Sequence, residues 1–426
     1  MNDVDSSARG PREGAASAGA SGTSAGVAVA EGGFVRGWLD VAVRRVRGGE
    51  LGALPVLVGL LLMAAVFQSQ APTFLSARNL SNLTLQIVPT GLIALGIVLV
   101  LLLGEVDLSA GSVSGLCAAV MAVLSVKQGW PPVLAIAVAV LAGATIGAAQ
   151  GFFFARLGVP SFVVTLAGLI GWQGALLYVL GATGTLNIPY DGAVAAFANT
   201  FLSRVALGYA VVLLPIGLYL VALLRGAARR ARAGLPRPGA AEIGARAGGL
   251  LLLGLAAVYV LNLTRGVPLA LVIFVGLVAA FDLVLRKTRA GRMVFAVGGN
   301  AEAARRAGIN VAAVRITTFA VAAAMAAVGG VMQASRLFAV NQASGSGDVL
   351  LNAIAAAVIG GTSLFGGRGS AWSALLGMLV IGSIQSGILL LDLQSDAQYM
   401  ITAAVLLVAV TVDALSRRGR KASGRA

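Results

Sequence analysis

A polytopic bundle of transmembrane α-helices is the fold class the sequence predicts, and three observations predict it. First, 58% of the 426 residues are hydrophobic and only 11% are charged, whereas a soluble domain carries about a quarter charged residues. Mean hydropathy is correspondingly high, at +0.93. Second, the apolar residues gather in runs of span length; at roughly 20 residues per crossing plus loops, the chain has room for about ten to twelve spans. Third, Lys and Arg lie mainly between those runs and sort to one side when the runs are threaded in alternation.

The elements follow in chain order. Residues 1–45 are rich in Ala, Gly and Ser with scattered charges of both signs. They bury too little apolar area to offset chain entropy and are expected to be a disordered cytoplasmic tail. The first apolar run begins near Leu51 after Arg44, Arg45 and Arg47, without a cleavage site, and is read as a retained span. Apolar segments fall at 51–67, 83–103, 109–126, 133–154, 161–181, 205–224, 247–262, 267–285, 313–334, 350–366, 371–391 and 397–415, within a membrane domain of 46–416. The segment at 247–262 is short and that at 350–366 ends in a glycine cluster, so either is a candidate re-entrant element, leaving ten or eleven crossings. With both termini cytoplasmic, only Arg78, Lys127, Arg204, Arg265 and Arg336 of the basic residues fall outside, as the positive-inside bias requires. Residues 417–426 form a basic cytoplasmic tail.

Composition removes whole classes of function. Cys117 is the only cysteine and there is no histidine, which excludes disulfide frameworks, Cys/His zinc sites, and catalysis by His or Cys–His. No metal site is expected. A net charge of +15 follows from retaining Lys and Arg on one membrane face, and predicts contact with lipid headgroups rather than nucleic acid. The phosphate loop Gly-x-x-x-x-Gly-Lys-Ser/Thr is missing from the sequence, so no ATP site of that kind is expected in this chain.

Two stretches interrupt apolar runs in the same way. Gly104-Glu-Val-Asp-Leu-Ser-Ala-Gly111 and Gly360-Gly-Thr-Ser-Leu-Phe-Gly-Gly367 align without gaps, sharing both end glycines and the leucine. Paired breaks of this kind in two halves of a transporter mark a transport path, because unwound backbone at membrane depth must line a cavity or be buried in protein. Glycine-rich helix–helix turns are the alternative. The alternating topology places both breaks on one side, which suits a parallel repeat.

The cytoplasmic loop at 286–315 has its own architecture. Gly298 and Gly299 break the chain, Asn300 caps, Glu302 sits in the first turn where the helix dipole favours an anion, and Gly308 ends a short helix. Ala303, Ala304, Ala307 and Ile309 offer a small apolar face for docking against a protein groove, while Arg305 and Arg306 face water, headgroups or an acidic partner. An ordinary basic inner loop accounts for the same charges.

A transport path through apolar helices needs polar side chains, with rings that can stack on a cargo, and the candidates are Glu105, Asp107, Ser109, Trp172, Gln173, Asn352, Thr362 and Ser363. Polar residues within a membrane are functional candidates because burying them in lipid is costly; interhelical hydrogen bonding competes as the explanation for any single Ser or Thr, and helix capping competes for Glu105 and Asp107. Gly143 and Gly147 are assigned to close helix packing.

The wording of these stretches resembles a known family. Glu302-Ala303-Ala304 followed by Gly308 is similar to the Glu-Ala-Ala loop of bacterial ATP-binding-cassette importer permeases. The surrounding Gly-Gly-Asn-x-Glu-Ala-Ala-x-x-x-Gly-Ile-Asn, with Gly104-Glu-Val-Asp-Leu-Ser109, Val159-Pro-Ser-Phe-Val-Val-Thr-Leu166 and 354–369, resembles the ribose/xylose-type sugar permeases over most of 75–415. The extra piece at 205–262, and Glu105 where ribose-type members usually have Gly, look more like the xylose branch. The resemblance implies a homodimeric or paired permease in a bacterial inner membrane, fed by an extracytoplasmic sugar-binding protein. Cytoplasmic ATPase subunits using ATP and Mg would act through the 298–310 helix. The competing class is an ion-coupled secondary transporter, which needs a titratable group near the midplane; Glu105, Asp107, Asp282 and Asp413 instead lie toward segment ends.

Overall fold

In the computed structural model, residues 54–236 and 239–422 are described; the expectations for the tail at 1–45, for Arg44, Arg45 and Arg47, and for the end of the basic tail lie outside them. Helices dominate: α1 (Leu54–Gln70), α2 (Ala77–Leu102), α3 (Ala110–Ala122, continued by a π-turn to Lys127), α4 (Pro132–Arg156), α5 (Ser161–Leu180), α6 (Ala193–Asn199), α7 (Val205–Arg232), α8 (Ala240–Asn262), α9 (Leu269–Lys287), α10 (Arg289–Gly299), α11 (Ala301–Arg306), α12 (Val311–Leu337), α13 (Asp348–Ile359), α14 (Trp372–Leu390) and α15 (Ser395–Ala422). Among the described residues, nine helices are long and apolar enough to cross a membrane, and three shorter apolar helices cover 56–70, 348–359 and 396–408.

Several segment boundaries differ from expectation; the helix of the 83–103 segment starts at Ala77 and that of the 205–224 segment runs on to Arg232. The 350–366 segment is not a span: its helix, α13, has 12 residues and reaches about 18 Å, well short of a hydrocarbon core of about 30 Å. The glycines after Ile359 end it, with Gly361, Gly366 and Gly367 all at positive φ. The 247–262 segment is longer than read, because α8 starts at Ala240 and runs 23 residues. Its polar first turns are carried by an Arg246–Glu242 pair at 2.6 Å, one helical turn apart, an arrangement that extends a helix beyond its apolar part.

Helix α12 is the axis of the bundle, packing against α4, α2 and α3. Close approach is made possible by missing side chains. Gly143, Gly147 and Gly151 recur every four residues along one face of α4, so a Cβ at Gly143 would stand 2.8 Å from the Ala323 carbonyl oxygen and one at Gly151 2.8 Å from the Ile316 Cα. On α12, Gly329 faces the Pro89 carbonyl of α2 and Gly330 the Ser114 carbonyl of α3. Helices α7 and α8 form a pair at the periphery; Gly208 is the one described buried residue of α7, and Leu214, Leu218, Leu252 and Leu253 are exposed. Such a surface belongs in lipid, since soluble proteins rarely expose large apolar patches.

Two short antiparallel strand pairs gather connections at one end of the bundle: β1 (Thr185–Asn187) with β4 (Ala339–Asn341), and β2 (Phe201–Leu202) with β3 (Val267–Pro268). Lys127 is held at this end by donating to the Leu180 carbonyl at 3.1 Å and to Thr183 at 3.3 Å. Helices α5 and α12 run from here to the other end, which carries α10, α11 and the breaks after α2 and α13.

Candidate functional site

The short surface helix forms where the sequence predicts it, with a corrected start. Helix α10 continues through Gly298 and Gly299, and the chain breaks instead at Asn300, in extended backbone at φ −161 and ψ 103. Asn300 Oδ1 accepts from the Ala303 N–H at 2.9 Å, which satisfies one of the orphan donors at a helix start. At the other end, Gly308 N–H donates to Arg305 O and Ile309 N–H to Ala304 O, both at 3.0 Å, with Gly308 at φ 83. This paired closure is the Schellman motif, and it needs a residue that tolerates positive φ.

The docking face is also narrower than read. Ala304 is buried, packed with Leu103, Val297, Val311 and Val314 of the same chain, and Ile309 lies against that cluster. Ala304 is therefore not available to a partner, and Ile309 only in part. Glu302, Ala303, Arg305, Arg306 and Ala307 remain exposed, and Glu302 bridges Arg305 at 2.7 Å and Arg306 at 3.3 Å. Pairs this exposed contribute about 0–1 kcal/mol, so they shape the surface charge more than they hold the helix.

Gly298 serves packing rather than breaking. A Cβ there would overlap the Leu102 carbonyl oxygen and stand 2.9 Å from the Gly367 nitrogen. The Gly367 N–H itself donates to Leu102 O at 2.9 Å, and a Cβ at Gly366 would lie 2.7 Å from Gly298 O and 2.8 Å from Gly104 N. The two breaks with matching glycines therefore touch each other, and the end of α10 touches both.

The polar candidates fall into separate groups rather than one path. Glu105 accepts from Arg315 Nη2 at 2.9 Å and from Ser161 Oγ at 2.7 Å. Asp107 is buried and accepts from the Ser109 N–H at 2.8 Å and Ser109 Oγ at 2.6 Å; Ser109 in turn shares hydrogen bonds with Gln150. Trp172 belongs to this second group, since a Cβ at Gly168 would stand 3.0 Å from Trp172 Nε1 and 3.2 Å from Ser109 Cβ. Trp172 Nε1 is buried without a hydrogen-bond partner, as is Thr362 Oγ1. Gln173 points to the strand-bearing end, donating to Gln342 O at 2.7 Å. Thr362 and Ser363 are buried in the break after α13, and Asn352 is half-buried within α13.

A small cleft of about 20 Å³, open to the surface, lies between α2, α3, α12 and the 339–349 segment; its polar lining is Thr90, Ser114, Gln333 and Ser344. None of the sequence candidates lines it. Sequence reasoning passed over these residues, and over Gln150, Ser161 and Arg315. For Gln150 and Gln333 the signal was available, as amides within apolar runs; for Arg315 it was not, because the charge is indistinguishable from its basic neighbours until the fold brings Glu105 to it.

Nine span-length apolar helices among the described residues, with two broken helices in contact at one end, define a polytopic membrane bundle. The chain belongs to the family described as "Branched-chain amino acid transport system / permease component", whose profile matches residues 79–410. Among its relatives, the "Xylose transport system permease protein XylH" of Escherichia coli (strain K12) is 37% identical over 345 residues, covering 81% of this chain and 87% of that protein. The protein of the same description from Haemophilus influenzae is 34% identical over 370 residues, covering 85% and 96%. The "Ribose import permease protein RbsC" of Escherichia coli (strain K12) is 29% identical over 359 residues, covering 84% and 92%. No solved structure matches this chain. The chain is thus a multi-pass membrane permease subunit, a transport component rather than an enzyme.

Proposed function

We propose that this chain is the membrane-spanning subunit of an ATP-driven importer that takes up a monosaccharide, with xylose or another pentose as the cargo. The observation that carries the reading is the capped helix α11, which exposes Glu302, Ala303, Arg305 and Arg306 while its buried Ala304 packs against Leu103 at the first helix break. The similarity to xylose permeases over most of the chain supports the choice of cargo. Two cytoplasmic ATPase subunits, using ATP and Mg, grip this helix; an extracytoplasmic binding protein delivers the sugar; and two permease copies pair. Both termini are cytoplasmic and the membrane is the bacterial inner membrane. ATP-driven closure of the ATPases acts on the bundle only to the extent that the docked helix interacts differently with inward-open and outward-open states.

Glu105, Asp107, Ser109, Trp172, Gln173, Asn352, Thr362 and Ser363, in their separate groups, are the residues assigned to the path and its gates, and Gly298, Gly299, Asn300, Glu302, Ala303, Ala304, Arg305 and Gly308 to coupling, Ala304 from within the protein. The test is Glu302→Lys, which reverses the charge presented to the ATPase. Radiolabelled xylose uptake and co-purification of the ATPase are both lost while the permease remains in the membrane fraction; a variant that keeps normal uptake removes the coupling assignment. Competition by unlabelled pentoses and hexoses then ranks the cargo.

A further inference from the structure

Residues 103–109, the break between α2 and α3, are held from both sides by the loop that carries α11. On one side, the end of α10 rests on the break at Gly298, against the Leu102 carbonyl. On the other, Arg315 reaches back from the second turn of α12 to Glu105 at 2.9 Å. Only four residues, 307–310, separate α11 from α12, and Asn310 caps α12 by accepting from the Ala313 N–H at 3.0 Å. Any displacement of α11 is therefore passed to Arg315 through a short, capped connection rather than a slack loop.

The Glu105–Arg315 pair has the features of a contact made to be released. It joins separate elements, and its side chains are largely shielded, with 17% of Glu105 and 25% of Arg315 exposed, so screening by water and salt weakens it less than the surface pairs on α11. Glu105 also accepts from Ser161 at the start of α5 at 2.7 Å. The Arg315 guanidinium lies 5.3 Å from the centre of the Phe154 ring at the end of α4. Four elements thus converge on one charge pair. Arg315 Nε makes no hydrogen bond among the described residues, so the guanidinium is held by the ion pair to Glu105 and the Phe154 ring.

We propose that Glu105 and Arg315 form a latch that ties the broken-helix segment 103–109 to the coupling loop, and that opening the path toward the α11 end requires this pair to part. The inference deepens the importer reading and rests on it. Arg315 is a positioning residue here: it acts through Glu105 and the break, not on the sugar.

The test uses the reconstituted complex of permease, ATPase and binding protein, with Glu105→Gln, Arg315→Gln and the double exchange Glu105→Arg/Arg315→Glu. Each single variant is expected to raise ATP hydrolysis without sugar and to lower sugar transported per ATP by about five- to tenfold, the lower range of a coupling free energy. The exchange variant is expected to recover coupling to within about threefold of the wild type, because a double-mutant cycle isolates the pair. Singles that lose thermal stability while keeping the wild-type sugar-to-ATP ratio overturn the latch and leave a structural ion pair. An exchange that recovers no coupling, while remaining folded by size-exclusion elution, overturns it as well. Failure of the importer reading is separately visible: wild-type uptake that proceeds without the ATPase sinks that reading before any variant is compared.

Discussion

Gly298 shows how much a single position can decide. Its Cα faces the Leu102 carbonyl so closely that no Cβ fits, whereas its neighbour Gly299 has no atom within 4 Å of the place a Cβ would take. Gly298→Ala is therefore expected to destabilise the protein by about 1–3 kcal/mol, as overpacking does, and to lower the melting temperature in detergent. Gly299→Ala is expected to be neutral or stabilising by up to about 1 kcal/mol, since alanine suits a helix better than glycine. Equal effects of the two substitutions would contradict the packing role. In the sequence the two glycines look alike and read as a joint breaker; what separates them is a contact with residues 102 and 367, and no local pattern carries that. The same holds for Ala304, whose place in the Glu-Ala-Ala core was legible but whose burial against Leu103 and Val311 was not.

Helix α11, at six residues, is too short to persist by propensity, because nucleation is unfavourable and isolated helices of fewer than about 12 residues are marginal in water. Its ends hold it. Asn300→Ala removes the cap on Ala303 and is expected to cost about 1 kcal/mol, seen as faster amide exchange in 301–306 and weaker ATPase stimulation. Gly308→Pro fixes φ near −65° where the chain needs φ 83, and removes the N–H that Arg305 O accepts. Uptake is expected to be lost with membrane insertion intact; uptake at the wild-type level would show that the closure of α11 does not matter. Capping residues and the terminal glycine are local signals, which is why this element was legible in the sequence to within a residue or two. The half-length of α13 was legible only as an alternative: the glycine cluster marked 350–366 as a candidate re-entrant element, and the positive φ at Gly361, Gly366 and Gly367 decides for the short helix.

The whole bundle was the most legible level, because composition and span-length runs are imposed by the lipid solvent before any packing is chosen. Each apolar segment of the membrane domain corresponds to a helix, and the small residues every four positions on α4 correspond to its seam with α12. Long-range pairing was not legible, and the polar candidates accordingly separate into groups at different ends instead of forming a single path. Removing residues 1–30 is expected to leave insertion and uptake unchanged, as measured in membrane fractions and whole-cell uptake; loss of insertion would contradict the reading of the amino-terminal tail.

The central claim is that the bundle does no work unless a separate ATPase drives it through α11. The most direct measurement is xylose accumulation in sealed vesicles containing the purified permease and its binding protein, with and without the ATPase subunits, and with ATP supplied on the ATPase side. Accumulation only when both ATPase and ATP are present is the predicted result. Accumulation against a gradient in vesicles lacking the ATPase would contradict it.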